Sequence, residues 1–381
     1  MREAVIVDAV RTAHGKRGGA LASWHPVDLA AEVLGALVSR NGIDPGDVDD
    51  VILGCVTQLG DQSSNVARFA VLAAGWPQHV PGVTVNRACG SSQQALDYAA
   101  HAILAGRAEM VVAGGVECMS RVPLGAARQV GMPYGPRVLE RYDGFGFNQG
   151  ISAEMIAEKW AMTRRELDAF AVESHAKAAA AIDAGVLESQ IVPVQVEGGR
   201  FDRDEGVRRS TGVERLAELT PSFKPDGVIH AGNSSQISDG ASALLVTTPE
   251  RARALGLTPI VRYRAGAVCG ADPVLMLTGP IDATGKLLAR EGLGIADIGA
   301  FEVNEAFAPV PLAWLREVGA PADRLNMLGG AIATGHPLGA SGTSLMTRLV
   351  HHMRDRGLRY GLQTMCEGGG TANATLVELV A

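Results

Sequence analysis

The chain has 381 residues, 47% of them hydrophobic and 20% charged, with 47 glycines, the profile of a globular protein of closely packed helices and strands. That length predicts two or three domains or a duplicated fold rather than one small core. A formal net charge of −7 argues against a nucleic-acid surface, and the sequence offers neither a basic amphipathic face nor an apolar run long enough to cross a membrane.

The N-terminus enters a strand pattern at once, with no signal-peptide core. Five cysteines without CxxC pairs do not form a disulfide framework, which predicts reduced thiols and a cytoplasmic protein. In chain order, strands are predicted over 4–10, 51–56, 83–86 and 110–114, with helices over 26–40 and 91–105 between them. This alternation marks an α/β protein. From about 120 to 237 the pattern changes. A Gly/Pro-rich stretch (Pro123, Gly125, Gly131, Pro133, Gly135, Pro136) reads as loop, and a helix capped by Thr163-Arg164-Arg165-Glu166 follows, closed by Gly185. Charged, irregular sequence covers 198–209. Strands return at 300–303 and 362–366, with a helix over 339–356. Cys89 precedes Val116 by the same spacing that separates Gly339 from Cys366, a faint echo of internal duplication.

Four segments carry groups able to do chemistry. Val85-Asn86-Arg87-Ala88-Cys89-Gly90-Ser91 places Cys89 at a strand-to-helix turn, where free N–H groups and the helix dipole favour a thiolate. The alternative is a small buried cysteine in a tight turn. His336 lies between Gly335 and Pro337 in a glycine-rich run, which can present an imidazole without obstruction. Cys366-Glu367-Gly368-Gly369-Gly370 could pair a proton-carrying thiol with approachable backbone amides, or be only a glycine-rich hairpin. Asn304-Glu305-Ala306-Phe307 ends a strand with two polar side chains, which a surface turn would also explain.

In this order and spacing the segments closely resemble the thiolase family, with the look of its degradative bacterial members. The matching runs are Cys89-Gly90-Ser91, Asn304–Phe307, Gly335-His336-Pro337 and Cys366–Gly370, and the likeness covers the whole chain. Arg11-Thr12 with Gly15-Lys16 resembles the family's N-terminal turn. The run from Ala231 through Ser235 to Gly240 resembles its CoA-contacting segment.

The resemblance implies a duplicated fold: two similar α/β halves (1–119 with 238–252, and 253–381) in a layered αβαβα core, with a loop domain (120–237) over the CoA and acyl chain. It also implies ping-pong acyl transfer, with Cys89 as nucleophile, His336 as its base and Cys366 as the acid that protonates the departing acetyl-CoA carbanion. Asn304, through a water, and His336 would form one oxyanion hole, and the N–H groups of Cys89 and Gly368 the other. CoA is the co-substrate, touching Arg208, Ser235 and a wall of Ala306 and Phe307, with no metal or redox cofactor. A homodimer or homotetramer is implied.

Two departures from the family pattern bear on substrate. Asn148-Gln149-Gly150 stands where acetoacetyl-CoA enzymes carry His-Met-Gly, and Glu367 with Thr371-Ala372 alters the last box. Both amides are expected to face the acyl end. Together with Glu367 they point to a longer, branched or oxygen-bearing 3-ketoacyl-CoA from fatty-acid, ring or sterol breakdown, rather than to acetoacetyl-CoA synthesis. A β-ketoacyl synthase would pair its cysteine with two histidines, or with His and Asn. A non-catalytic acyl-CoA carrier would have lost Cys89, His336 or Cys366. Neither Gly-x-Gly-x-x-Gly after a strand nor Gly-x-Ser-x-Gly is present, against NAD enzymes and serine hydrolases.

Overall fold

The structure, a computed structural model, describes residues 2–380. The first half contains β1 (Val5–Thr12), α1 (Pro26–Asn41), β2 (Asp50–Gly54), α2 (Val66–Ala73), β3 (Gly82–Val85), α3 (Ser91–Leu104) and β4 (Met110–Cys118). Two longer helices, α4 (Gln149–Lys159) and α5 (Arg164–Asp183), lie in the middle segment. Then come β5 (Ser238–Thr247), β6 (Val261–Gly270), α6 (Gly279–Glu291), β7 (Ala300–Val303), α7 (Pro309–Val318), α8 (Ser341–Arg356), β8 (Tyr360–Glu367) and β9 (Thr371–Leu379).

The strands run β7-β8-β9-β6-β1-β5-β4-β2-β3 across the molecule. From β1 outward the pairings are antiparallel to β5, antiparallel to β4 and parallel to β2. From β6 outward they repeat that sequence through β9, β8 and β7. Equivalent elements keep register, for α3 and α8 start at Ser91 and Ser341, and β4 and β8 at Met110 and Tyr360, 250 residues apart in both cases. The halves meet where β1 pairs with β6 at Val5↔Arg262 and Ile6↔Val261.

Strands β1, β4 and β5 are buried along their whole length because helices cover both faces of the sheet. Met110 and Val112 pack outward against α1 and α2 through Leu29, Val33 and Val66. Val111 and Ala113 pack inward against α3 and α8 through Leu96, Ile103, Met346 and Val350. On the far side Ala283, Leu287 and Trp314 of α6 and α7 cover Ala374 and Leu376 of β9. The result is five layers with α3 and α8 in the middle. These two helices touch closely, since a Cβ on Gly342 would meet the backbone of Gln93, and Thr343 N donates to Ser92 Oγ at 3.0 Å.

Three expectations change in detail. The helix predicted from 339 begins at Ser341, after a 3₁₀ turn at Leu338–Ala340. Only half of the capping box forms, because Thr163 Oγ1 accepts from Glu166 N at 3.2 Å while the Glu166 carboxylate turns to Arg316. Within the stretch read as irregular, Gly199–Phe201 pairs with Val194–Val196.

Candidate active site

The turn from β3 into α3 is fastened by its own polar groups. Asn86 Oδ1 accepts from Ala88 N at 2.9 Å, and Ser91 Oγ accepts from Arg87 N at 2.9 Å while donating to Ala88 O at 2.6 Å. These bonds hold Ala88 at φ 44°, uncommon for a residue with a side chain, and turn Cys89 inward. Gly90 is required there, because a Cβ would overlap the Glu367 carboxyl and crowd the Asn373 amide.

The Cys89 thiol is buried against its own N–H, the Gly368 N–H and the Gln149 side-chain amide. Its pKa is pushed up to about 12, by burial first and by the nearby Glu367 carboxyl next, with the three donors opposing the shift. The thiolate expected from the helix start is therefore not the resting form, since desolvation outweighs the dipole. Cys366, at the end of β8, is also buried and raised well above the ordinary thiol range, first by burial and next by the neighbouring Cys89, beside which a second thiolate is disfavoured. The chain leaves this strand through Gly369 (φ 91°) and Gly370 (φ 79°), conformations that glycine adopts without strain.

His336 follows Gly335, whose φ of 100° and contact with Ser238 leave no room for a side chain. Its backbone N donates to Gln236 O at 3.0 Å. Nδ1 lies 2.5 Å from Ser341 Oγ, and Nε2 lies 3.3 Å from Asn304 Nδ2. Because the Ser341 hydroxyl donates to Pro337 O at 2.9 Å, the ring proton belongs on Nδ1, and Nε2 keeps its lone pair. Burial lowers the imidazole to about 4, so it is neutral at physiological pH. Asn304 is set beside β8 by its N–H on Thr364 O at 3.1 Å, and its buried Oδ1 has no partner among the described residues.

Ser235 N donates to Ala306 O at 2.9 Å, and Ser234 bridges to Phe307, which joins the expected CoA segment to its wall. Arg208 is exposed and lines a cavity of about 530 Å³ with Arg209, Ser210, Thr211 and Arg215.

Sequence reasoning missed Ser341, although its place five residues after His336 at a helix start was a usable signal. It also treated Asn148 and Gln149 alike. Asn148 instead caps α4, its Oδ1 accepting from Gly150 N at 2.9 Å and Ile151 N at 3.2 Å. Only Gln149 reaches the thiol. Glu367 is fully buried.

Residues 4–250 match the thiolase N-terminal domain, and residues 257–379 match the thiolase C-terminal domain. The chain belongs to the thiolase family. Among its thiolase relatives, the steroid 3-ketoacyl-CoA thiolase FadA6 of Mycobacterium tuberculosis is 50% identical over 99% of this chain and 94% of its own length. A 3-ketoacyl-CoA thiolase of Bacillus subtilis is 42% identical over the full length of both. The crystal structure of human mitochondrial 3-ketoacyl-CoA thiolase superposes with a TM-score of 0.93 at 34% identity, covering 100% of this chain and 99% of that one. Among the described residues no helix is long and apolar enough to cross a membrane, and the five cysteines are unpaired.

Proposed function

We propose that this thiolase cleaves a 3-ketoacyl-CoA with CoA into acetyl-CoA and a shortened acyl-CoA, through an acyl group carried on Cys89. The observation that carries the reading is the convergence of Cys89, its own N–H, the Gly368 N–H and Cys366 in one buried pocket. Cys89 Sγ attacks C3 of the substrate and its proton passes to Nε2 of His336. The C2–C3 bond breaks, its electron pair goes to C2, and Cys366 delivers a proton there. The imidazolium then restores the Cys366 proton. CoA, deprotonated by His336, takes the acyl group, and the same proton returns to Cys89 as its sulfur leaves.

Charge on the thioester oxygens would meet the N–H pair of Cys89 and Gly368 on one side, and His336 with Asn304 on the other. Losing one such donor typically costs ~3 kcal/mol. The arginines around Arg208 suit CoA phosphates, and Ser235, Ala306 and Phe307 its pantetheine arm. We read residues 120–237 as the loop domain over this arm, between halves 1–119 with 238–252 and 253–381.

A 3-ketoacyl-CoA longer or more substituted than acetoacetyl-CoA fits best. The relative named for steroid substrates supports this, as does the Gln149 amide, a polar group where acetoacetyl-CoA enzymes carry methionine. The reading also includes a cytoplasmic homo-oligomer, with β3 as the edge that a second copy covers. That strand ends the sheet, and Phe69, Leu72 and Val83 are exposed around it. The test is incubation with a 3-ketoacyl-CoA followed by peptide mass mapping, which should place one acyl group on Cys89. Label on Cys366 alone would overturn the assignment. In a thiolysis panel, a tenfold preference for acetoacetyl-CoA would overturn the substrate class.

A further inference from the structure

Glu117 and Glu367 occupy equivalent ends of β4 and β8, and both are fully buried. Their surroundings differ. Glu117 accepts from Val56 N at 2.9 Å, Thr57 N at 3.0 Å, Gln62 Nε2 at 2.7 Å and Gly339 N at 2.8 Å. Glu367 accepts only from the Thr371 hydroxyl, with Arg87 Nη1 3.9 Å away. Its Oε1 has no partner among the described residues and lies against Gly90. Asn373 lies against the same glycine, with Nδ2 on Gly90 O at 3.1 Å, and its Oδ1 also lacks a donor. A buried carboxylate oxygen without a donor is costly to keep charged, and a neutral carboxyl avoids that cost.

We propose that Glu367 is a proton-bearing acid in the resting enzyme, and that its ionisation sets the reactivity of Cys89. It is a positioning residue acting through the nucleophile, and its catalytic relevance rests on the role proposed for Cys89. The titratable and charged groups around it are Arg87, Cys89, Asp97 of α3, Cys269 of β6 and Cys366. Arg87 is the only cation among them. Burial brings Glu367 up to about 7, Thr371 and Arg87 oppose the shift, and Asp97 adds to it. Below that pH the carboxyl is neutral and leaves Cys89 unopposed. As the carboxyl ionises it raises the thiol pKa, so thiolate grows by less than tenfold per pH unit through about 7 and returns to the tenfold slope, on a lower line, above it.

The experiment is iodoacetamide alkylation of the intact enzyme, followed at the Cys89 peptide by mass spectrometry from about pH 5.5 to about pH 9.5. The wild type should show a break near 7. Glu367→Gln should abolish the break and react about tenfold faster at about pH 8.5, the equivalent of one unit in thiol pKa. Arg87→Gln, which removes the opposing cation, should move the break to higher pH. A protonated-carboxyl infrared band present at about pH 6 should vanish in Glu367→Gln. A Gln variant with the wild-type profile, or an infrared spectrum that does not change, overturns the proposal. If that variant does not fold, an unmoved break in Arg87→Gln overturns it. Alkylation reports the thiol whichever residue carries the acyl group, so this result is separate from the acyl-mapping test.

Discussion

Burial sets the resting protonation of the reactive side chains: both thiols are raised and the imidazole is lowered to about 4, so Cys89, Cys366 and His336 all start neutral. Cys366→Ala should therefore keep slow acetylation of Cys89 from acetyl-CoA but lose exchange of the acetyl protons with solvent, read by NMR in deuterated buffer. Undiminished condensation would remove Cys366 from the mechanism. Ser341→Ala frees Nδ1 and the tautomer that leaves Nε2 as base. It should lower kcat by about tenfold to a hundredfold with little change in KM, and an unchanged kcat would show that the ring is held without it. The cysteines and the histidine were legible because each lies in a short contiguous run whose glycines announce its turn. Gln149 was not, because its approach to Cys89 depends on where α4 begins. Asn148 looks equally polar in sequence, and only the helix start separates a capping amide from one aimed at the thiol.

Among the elements, α3 and α8 show most clearly what pattern reading could and could not give. Their existence follows from apolar spacing. Their mutual contact does not, because the surfaces that meet are Ser91, Ser92, Gln93, Thr343 and Ser344, all buried and all polar. Periodicity would assign such residues to solvent, whereas here Gln363 Nε2 donates to Gln93 Oε1 at 2.9 Å and Gln93 Nε2 to Thr375 Oγ1 at 2.8 Å. The approach is set by Gly342, so Gly342→Ala should force the two helices apart and destabilise the fold by ~1–3 kcal/mol. Urea denaturation reads this directly, and an unshifted midpoint would mean that the backbone at Gln93 can yield. The middle segment was legible as a departure from the α/β alternation. Its packing was not, because Phe147, Ile156 and Leu167 find their partners in Ala306, Val310 and Ile332, more than a hundred residues away.

Across the whole molecule, β7 and α8 each carry a buried titratable group, Glu302 and Arg348. Glu302 is pushed up to about 8 by burial, with Arg348 opposing and Glu305 adding, while Arg348 donates to the carbonyls of Leu328 and Gly329. A carboxyl with a raised folded-state pKa contributes its full stability below the ordinary carboxylate range and loses it as pH climbs through 8. Glu302→Gln, neutral at every pH, should therefore gain in Tm relative to the wild type between about pH 5 and about pH 8. A constant Tm difference would mean that Glu302 is ionised throughout. The doubling of the fold was visible in sequence only as one repeated spacing, because after the glycines at each turn the two halves share few residue types. That doubling creates two equivalent places where a turn meets a strand, Cys89 at Cys366 and Gly339 at Val116. In the second, a Cβ would lie 2.6 Å from Val116 O and 2.7 Å from Cys55 Cα, so no side chain can stand there. If Cys89 carries the acyl group as proposed, the fold has room for that chemistry once: its second half repeats the turn with the space filled, and a cysteine introduced at 339 would find no room for a thiol, still less for an acyl group.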